Sequence, residues 1–76
     1  MNEVLKSILI DDLKLDEAAV RPENSLEEVG LDSLSVVELS VGLSERLGLE
    51  ISEEELEGAA TLSGIDQLID RRRTAG

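Results

Sequence analysis

The sequence contains no cysteine, no histidine, and no phenylalanine, tyrosine or tryptophan. Without cysteine, neither a disulfide nor a thiolate metal site can hold the fold. Without histidine, the chain lacks the commonest general base and the usual partner of a nucleophilic serine, so a self-contained enzyme is hard to build from it. Without aromatic side chains, the core must be packed from leucine, isoleucine, valine and alanine.

Long apolar runs are also missing. None approaches the length needed to cross a membrane, and the N-terminus has no signal-peptide pattern. A cytoplasmic protein with no membrane association is the default expectation. The 76 residues suffice for one domain, predicted over 1–76 with the last few residues as a flexible tail. A domain this short has a thin core and modest stability.

Positive charge is scarce and unevenly placed. Residues 1–70 hold all 18 acidic side chains and four basic ones, a formal charge of −14, whereas Arg71, Arg72 and Arg73 stand together near the end. Nucleic-acid binding is not expected from a chain of this sign. The acidic surface is either simply solvated, or it steers basic partner proteins towards the domain.

Helical periodicity is present in four stretches, and no segment alternates convincingly as a strand. The first helix is predicted over 2–13, with Asn2 as its N-cap. A long connection over 14–32 follows, in which Ser25 and Glu28 match a capping box and Gly30 ends the short turn. The residues expected to hold this connection on the core are Leu15, Ala18, Val20, Leu26, Val29 and Leu31.

The remaining helices are marked by capping and stop signals. The second runs over 33–47 and stops at Gly48. A short third helix opens with a capping box at Ser52 and ends near Gly58, and Thr61 can cap the fourth. The sequence therefore predicts an all-α fold, a small four-helix bundle with one short helix and a long first loop.

The second helix carries apolar residues on two faces. An α-helix turns about 100° per residue, which groups the apolar side chains into two stripes. The core stripe consists of Val36, Leu39, Leu43 and Leu47, and the outer stripe, close to the opposite side, consists of Leu34, Val37 and Val41. Glu38 and Glu45 lie beside the outer stripe. An exposed apolar stripe flanked by carboxylates would be a protein-docking surface, but the outer stripe could equally be core.

Ser33 stands at the start of this helix, in the segment Gly30-Leu31-Asp32-Ser33-Leu34. Asp and Ser are both favoured N-cap residues, so either could be there only to cap the helix. A helix N-terminus also suits a phosphate ester on the serine. Because no histidine is available as a base, Ser33 is better explained as a hydroxyl modified by another protein than as a hydrolytic nucleophile.

That segment, followed by Val36-Val37-Glu38-Leu39, resembles the phosphopantetheine-attachment motif of acyl carrier proteins. The resemblance extends over essentially the whole chain, including the long first loop and the short acidic third helix. It implies that Ser33 bears 4'-phosphopantetheine, which a phosphopantetheinyl transferase takes from coenzyme A with magnesium. It also implies that the terminal thiol of this arm carries acyl groups as thioesters.

The resemblance implies further that the protein is a non-catalytic monomeric carrier with enzyme partners. These would be the transferase, an acyltransferase or ligase, a ketosynthase and other pathway enzymes. In the family, partners dock on the second helix and the loop before it. The residues at the matching positions here are Asp32, Leu34, Val37, Glu38, Val41 and Glu45.

Three features favour polyketide or related specialised biosynthesis. The first is Gly42, which sits mid-helix and costs up to about 1 kcal/mol relative to alanine. Position 35 is serine where primary fatty-acid carriers commonly have an acid, and the Gly30-Leu31-Asp32 form is familiar from polyketide carriers. A peptidyl or aminoacyl carrier is an alternative that shares the chemistry. A calcium-binding or regulatory acidic protein is another, suggested by Glu53, Glu54, Glu55 and Glu57, although no Asp-x-Asp-x-Asp-Gly loop exists and no metal site is predicted.

Overall fold

The computed structural model describes residues 1–75, and the predicted all-α architecture is confirmed there. The helices are α1 (Glu3–Ser7), which continues into a π-helical turn (Ile8–Asp12), α2 (Leu26–Val29), α3 (Ser33–Leu47), α4 (Glu53–Gly58) and α5 (Leu62–Ala75), with a 3₁₀ turn at Glu17–Ala19. Within residues 1–75 there is no strand, and no helix is long and apolar enough to span a membrane. Gly76, the last residue of the predicted tail, lies outside the described residues.

The first helix begins where predicted but widens in its second half. The side chain of Asn2 accepts hydrogen bonds from the backbone N–H groups of Val4 and Leu5, at 2.8 and 3.2 Å. From Ile8 onwards the turns are π-helical, and the Leu13 N–H donates to the Ile8 carbonyl at 3.0 Å. Apolar spacing predicted the helical face, but it does not distinguish an α turn from a π turn.

The long first loop is held by backbone pairing as well as by apolar contacts. The predicted capping box of Ser25 and Glu28 is present, and Gly30 ends α2 in the left-handed region at φ 96°. The Leu62 N–H donates to the Asn24 carbonyl at 3.1 Å and the Ser63 N–H donates to the Pro22 carbonyl at 2.8 Å. These bonds attach the loop to the start of α5 and thereby fix the chain that leads into α3.

Most of the predicted loop anchors pack on the core, with one exception. Val20, Val29 and Leu31 are buried, and Leu15 and Leu26 are partly buried against the same cluster. The prediction for Ala18 was wrong, because this residue is exposed within the 3₁₀ turn. Its small side chain offers little apolar area, so burying it would have contributed little.

The core stripe of α3 faces inward as predicted. Val36, Leu39 and Leu43 are buried, and Leu47 packs at the edge of the core. The mid-helix Gly42 lets the π-helical turn after α1 approach closely, since a Cβ at this position would stand only 3.2 Å from Ile8 Cγ2. Gly42 weakens the isolated helix, but in the folded domain it allows this close packing.

The capping boxes of the C-terminal half are also present. Ser52 and Glu55 cap α4 reciprocally, and Thr61 Oγ1 accepts a hydrogen bond from the Gly64 N–H at 3.2 Å. The chain's N-terminus is joined to α5, because the Asn2 N–H donates to Asp66 Oδ1 at 2.8 Å. The helices thus enclose one aliphatic core and leave one face of α3 outside it.

Candidate functional site

The start of α3 is built by Asp32. This residue has an extended backbone, with φ −101° and ψ −175°, and its Oδ1 accepts a hydrogen bond from the Ser35 N–H at 2.8 Å. Asp32 is therefore the N-cap, and Ser33 is the first residue of the helix. Of the two residues that the sequence offered as caps, the structure uses the carboxylate.

The capping bond also favours the ionised form of Asp32. The Ser35 backbone N–H, which donates to the carboxylate, lowers the pKa of Asp32 below its ordinary value of 3.8. An aspartate with the ordinary pKa of 3.8 is already ionised at neutral pH, and the lowered pKa extends the ionised form to more acidic pH. The residue before Ser33 thus presents a fixed negative charge at an exposed position.

The Ser33 side chain is exposed at the N-terminal end of α3. Since Asp32 makes the capping bond, the Ser33 hydroxyl has no part in the cap. The first turn of a 15-residue helix provides partial positive charge, which suits a phosphate group attached at this oxygen. The site therefore fits a phosphodiester-linked group, and the hydroxyl is accessible to an enzyme that would attach it.

The outer stripe is exposed. Leu34 is 67%, Val37 is 37% and Val41 is 50% accessible to solvent. Glu38 and Glu45 are exposed next to it. The six positions predicted for partner contact therefore lie on one accessible side of α3 and its cap, adjoining Ser33.

A cleft between α3 and α4 adjoins this surface, and sequence reasoning missed it. It is an open groove of about 590 Å³. Its lining residues are Ser40, Val41, Ser44, Glu45, Glu50, Ile51, Ser52 and Glu55. Val41 and Glu45 belong to both surfaces. The capping box at Ser52 predicted where α4 begins, but no sequence signal states which face of α3 it lies against.

Two side chains, those of Ser40 and Arg72, hold the walls of the cleft together. Ser40 Oγ donates to the Ile51 carbonyl at 2.7 Å, which ties the segment before α4 to α3. From α5, the Arg72 guanidinium pairs with the Glu55 carboxylate and donates to the Glu50 carbonyl at 2.6 Å. The far wall is thus fixed on one side by α3 and on the other by α5.

The acidic residues of α4 do not assemble into a metal site. Glu55 is committed to the Ser52 capping box and to Arg72. Within residues 1–75, no group of three or more carboxylates is arranged to hold a metal ion. The calcium-binding alternative has no ligand cluster in this part of the chain.

Comparisons with known proteins bear on the same region. The family model of the phosphopantetheine attachment site matches residues 3–69, a range that contains Ser33 and both surfaces of α3. An acyl carrier protein from Helicobacter hepaticus is 33% identical over 72 residues, which cover 93% of this chain and 95% of that protein. The similarity therefore extends over nearly the full length of both chains.

Proposed function

We propose that the phosphopantetheine arm is joined to Ser33. The chain belongs to the acyl carrier protein family and has that family's phosphopantetheine attachment site, which supports this proposal. The observation that carries this proposal is the exposed hydroxyl at the first position of α3, relieved of the capping role by Asp32. In the attachment step, Ser33 Oγ forms a bond to the phosphorus of coenzyme A that bears the pantetheine group. The bond from that phosphorus to the adenosine bisphosphate breaks, and the serine proton is lost.

The bound group supplies a thiol that holds acyl chains as thioesters, and this chain has no cysteine of its own for that purpose. The protein is a carrier, and the chemistry on the acyl chain belongs to other enzymes. The role of its own residues is to present the attachment point. Asp32 fixes the helix start. The carbonyls of Asn24 and Pro22 accept hydrogen bonds from backbone N–H groups at the start of α5, and these bonds hold the preceding loop.

Partner enzymes dock, in this proposal, on the outer stripe with Asp32, Glu38 and Glu45 around it. Exposed aliphatic side chains provide apolar contact area, and the carboxylates attract basic partners and orient them. The partners would be a phosphopantetheinyl transferase, an acyltransferase or ligase, and a ketosynthase or other pathway enzymes. The carrier would act as a monomeric single domain in the cytoplasm.

For the pathway, we propose polyketide or related specialised biosynthesis. The support is Ser35, where an acid is common in primary fatty-acid carriers, together with the Gly30-Leu31-Asp32 form. A fatty-acid carrier and a peptidyl or aminoacyl carrier share the same attachment chemistry. Identifying the thioester cargo on the natively produced protein separates these three roles.

The attachment is tested by incubating the protein with coenzyme A, magnesium and a broad-specificity phosphopantetheinyl transferase. Intact mass spectrometry should show one phosphopantetheine added to the wild type and none to Ser33→Ala. Ser35→Ala is the matched control and should still be modified, because the Ser35 backbone N–H that donates to Asp32 is kept in that variant. An unmodified wild type, or a modified Ser33→Ala variant, would refute the assignment.

A further inference from the structure

The loop before α2 is closed by the side chain of Asn24. Its Nδ2 donates to the Ala19 carbonyl at 2.8 Å, in a partly buried position. The same carbonyl accepts the Arg21 N–H at 3.0 Å, and the Arg21 carbonyl accepts the Asn24 N–H at 3.1 Å. These bonds fold residues 19–24 into one compact turn.

The closed turn is the part of the loop that meets α5. The Asn24 carbonyl accepts the Leu62 N–H, the first of α5, at 3.1 Å. The next tie along the chain, from the Leu26 N–H to the Ala60 carbonyl, is longer at 3.4 Å. Asn24 donates through its side chain and its backbone N–H and accepts through its carbonyl. One residue thus joins the turn to itself and to α5.

From this turn to Ser33 the chain is stiff by its own local bonds. The capping box and the left-handed Gly30 hold α2, and the Leu31 N–H donates to the Leu26 carbonyl at 2.9 Å. The Leu31 side chain is buried. A stiff segment moves as a unit, so its orientation depends on where it is attached. Its attachment at the start is the turn that Asn24 closes.

We propose that Asn24 is a positioning residue, whose side chain holds Ser33 Oγ in the orientation that the transferase requires. The inference rests on the proposed function, since it takes Ser33 as the attachment point. The outer stripe lies further along α3, whereas Ser33 follows directly on Asp32, the cap that the stiff segment carries. Loosening the turn therefore leaves the docking surface in place and frees the reacting oxygen. The reaction slows, because reacting atoms must be held about 3 to 3.5 Å apart and aligned.

The test is the rate of phosphopantetheine transfer in a single turnover, with coenzyme A present and the transferase in saturating excess over the carrier. Asn24→Ala should lower the rate constant at saturation about three- to ten-fold, less than the about hundred-fold loss for a fixed misplacement of about 1 Å. The transferase concentration that gives half of this rate should stay nearly unchanged. A general loss of stability acts differently. It depletes the folded carrier, so it raises the half-saturating concentration and leaves the rate at saturation unchanged.

Ser40→Ala is the matched control. Ser40 Oγ donates to the Ile51 carbonyl at 2.7 Å, also in a partly buried position, but on the chain that leads into α4. Both variants therefore take a side-chain donor away from a backbone carbonyl, and urea denaturation should show similar losses of stability. The rate constant at saturation should stay near the wild-type value in Ser40→Ala and fall in Asn24→Ala.

Amide hydrogen exchange measures the loosening without the transferase. In Asn24→Ala, the amides of Leu31 and Leu62 should exchange faster relative to the amide of the core residue Leu43, because the loop opens locally. In Ser40→Ala this ratio should stay at the wild-type value. Exchange that accelerates equally at all three amides of Asn24→Ala would contradict a local role.

Should Asn24→Ala unfold, Asn24→Ser takes its place. It keeps a donor on a shorter side chain, and its rate at saturation should still fall below that of Ser40→Ala. Equal rates at saturation in the Asn24 and Ser40 variants, or a loss confined to the half-saturating concentration, would overturn the positioning role alone. A wild-type carrier that the transferase leaves unmodified would overturn the attachment at Ser33 and the positioning role together.

Discussion

Asp32 and Ser33 are neighbouring residues, and the sequence allows either of them to cap α3. Both residue types are good N-caps, so sequence alone left open whether Ser33 is structural. The structure assigns the capping bond to the Asp32 carboxylate and leaves the Ser33 hydroxyl exposed. The difference depends on one backbone conformation, the extended ψ of Asp32, which no residue pattern specifies.

The capping bond predicts a pH dependence of stability. A carboxyl group whose folded-state pKa is lowered stabilises the fold above its unfolded-state pKa, and this contribution is lost as pH falls through the folded-state value. Asp32→Asn keeps an acceptor oxygen but does not titrate. The difference in the free energy of unfolding between wild type and Asp32→Asn should therefore shrink as pH falls from about 6 to below 3.8.

Urea denaturation followed by circular dichroism across that pH range provides the measurement. Glu57→Gln serves as the control, because the loss of one acidic charge by itself reduces repulsion in a chain of net charge −11. A difference between wild type and Asp32→Asn that stays constant with pH would contradict the capping assignment.

At the scale of elements, the two stripes of α3 predict opposite responses to the same substitution. Val41 is 50% exposed, whereas Leu43, two residues away, is fully buried. Val41→Asp should keep the helical circular dichroism and change the free energy of unfolding by less than about 1 kcal/mol. Leu43→Asp should unfold the domain, because it buries an unpaired charge.

The exposed outer stripe also predicts how substitutions affect docking of the transferase. Val41→Asp and Glu38→Lys should each lower kcat/KM for modification of the carrier by the transferase, because one puts a charge into the apolar contact and the other reverses a charge beside it. Steady-state assays on folded variants provide the measurement. Wild-type kcat/KM in both variants would show that this enzyme does not contact the outer stripe.

A second comparison concerns Gly42 and Gly58, two glycines that lie within helices. Alanine should stabilise the helix at Gly58 by up to about 1 kcal/mol, since no atom lies within 4 Å of a Cβ there. At Gly42 the new methyl would press on Ile8, and crowding of this kind costs about 1 to 3 kcal/mol. Chemical denaturation should thus show Gly58→Ala as stabilising and Gly42→Ala as destabilising, and effects of the same sign would contradict the close approach of Ile8 to α3.

Capping and stop residues predicted the ends of the helices most reliably. The capping pairs at Ser25 and Ser52 and the stops at Gly30 and Gly48 depend on residues within one turn, so the sequence predicts them directly. The π-helical turn after Ser7 and the reason for Gly42 both depend on how α1 meets α3. Such packing is not encoded in the spacing of apolar residues along one helix.

At the scale of the whole molecule, charge is the dominant surface property. Residues 1–70 carry a formal charge of −14, and the ion pair of Arg46 with Asp12 uses one of the few basic residues internally. Long-range contacts of this type, like that of Arg72 with Glu55, were not predictable, because the sequence offers many possible acidic partners for each arginine. Sequence therefore established the sign of the surface, and the fold determined where its free carboxylates lie.

The acidic surface predicts opposite salt effects on stability and on docking. Raising ionic strength from about 0.05 M to 0.5 M should increase the free energy of unfolding, because repulsion among the carboxylates is screened. The same change should lower kcat/KM for the transferase several-fold and leave kcat at saturating carrier nearly unchanged, since only the steered encounter is weakened. A kcat/KM that does not respond to salt would contradict electrostatic steering by this surface.

The most direct test of the central claim is fragmentation mass spectrometry on the carrier purified from the cells that naturally make it. The protein should carry a phosphopantetheine group, with or without an acyl chain on its thiol, and the fragment ions should place it on Ser33. A natively produced protein that is unmodified throughout, or one that bears the group on a different serine, would contradict the account.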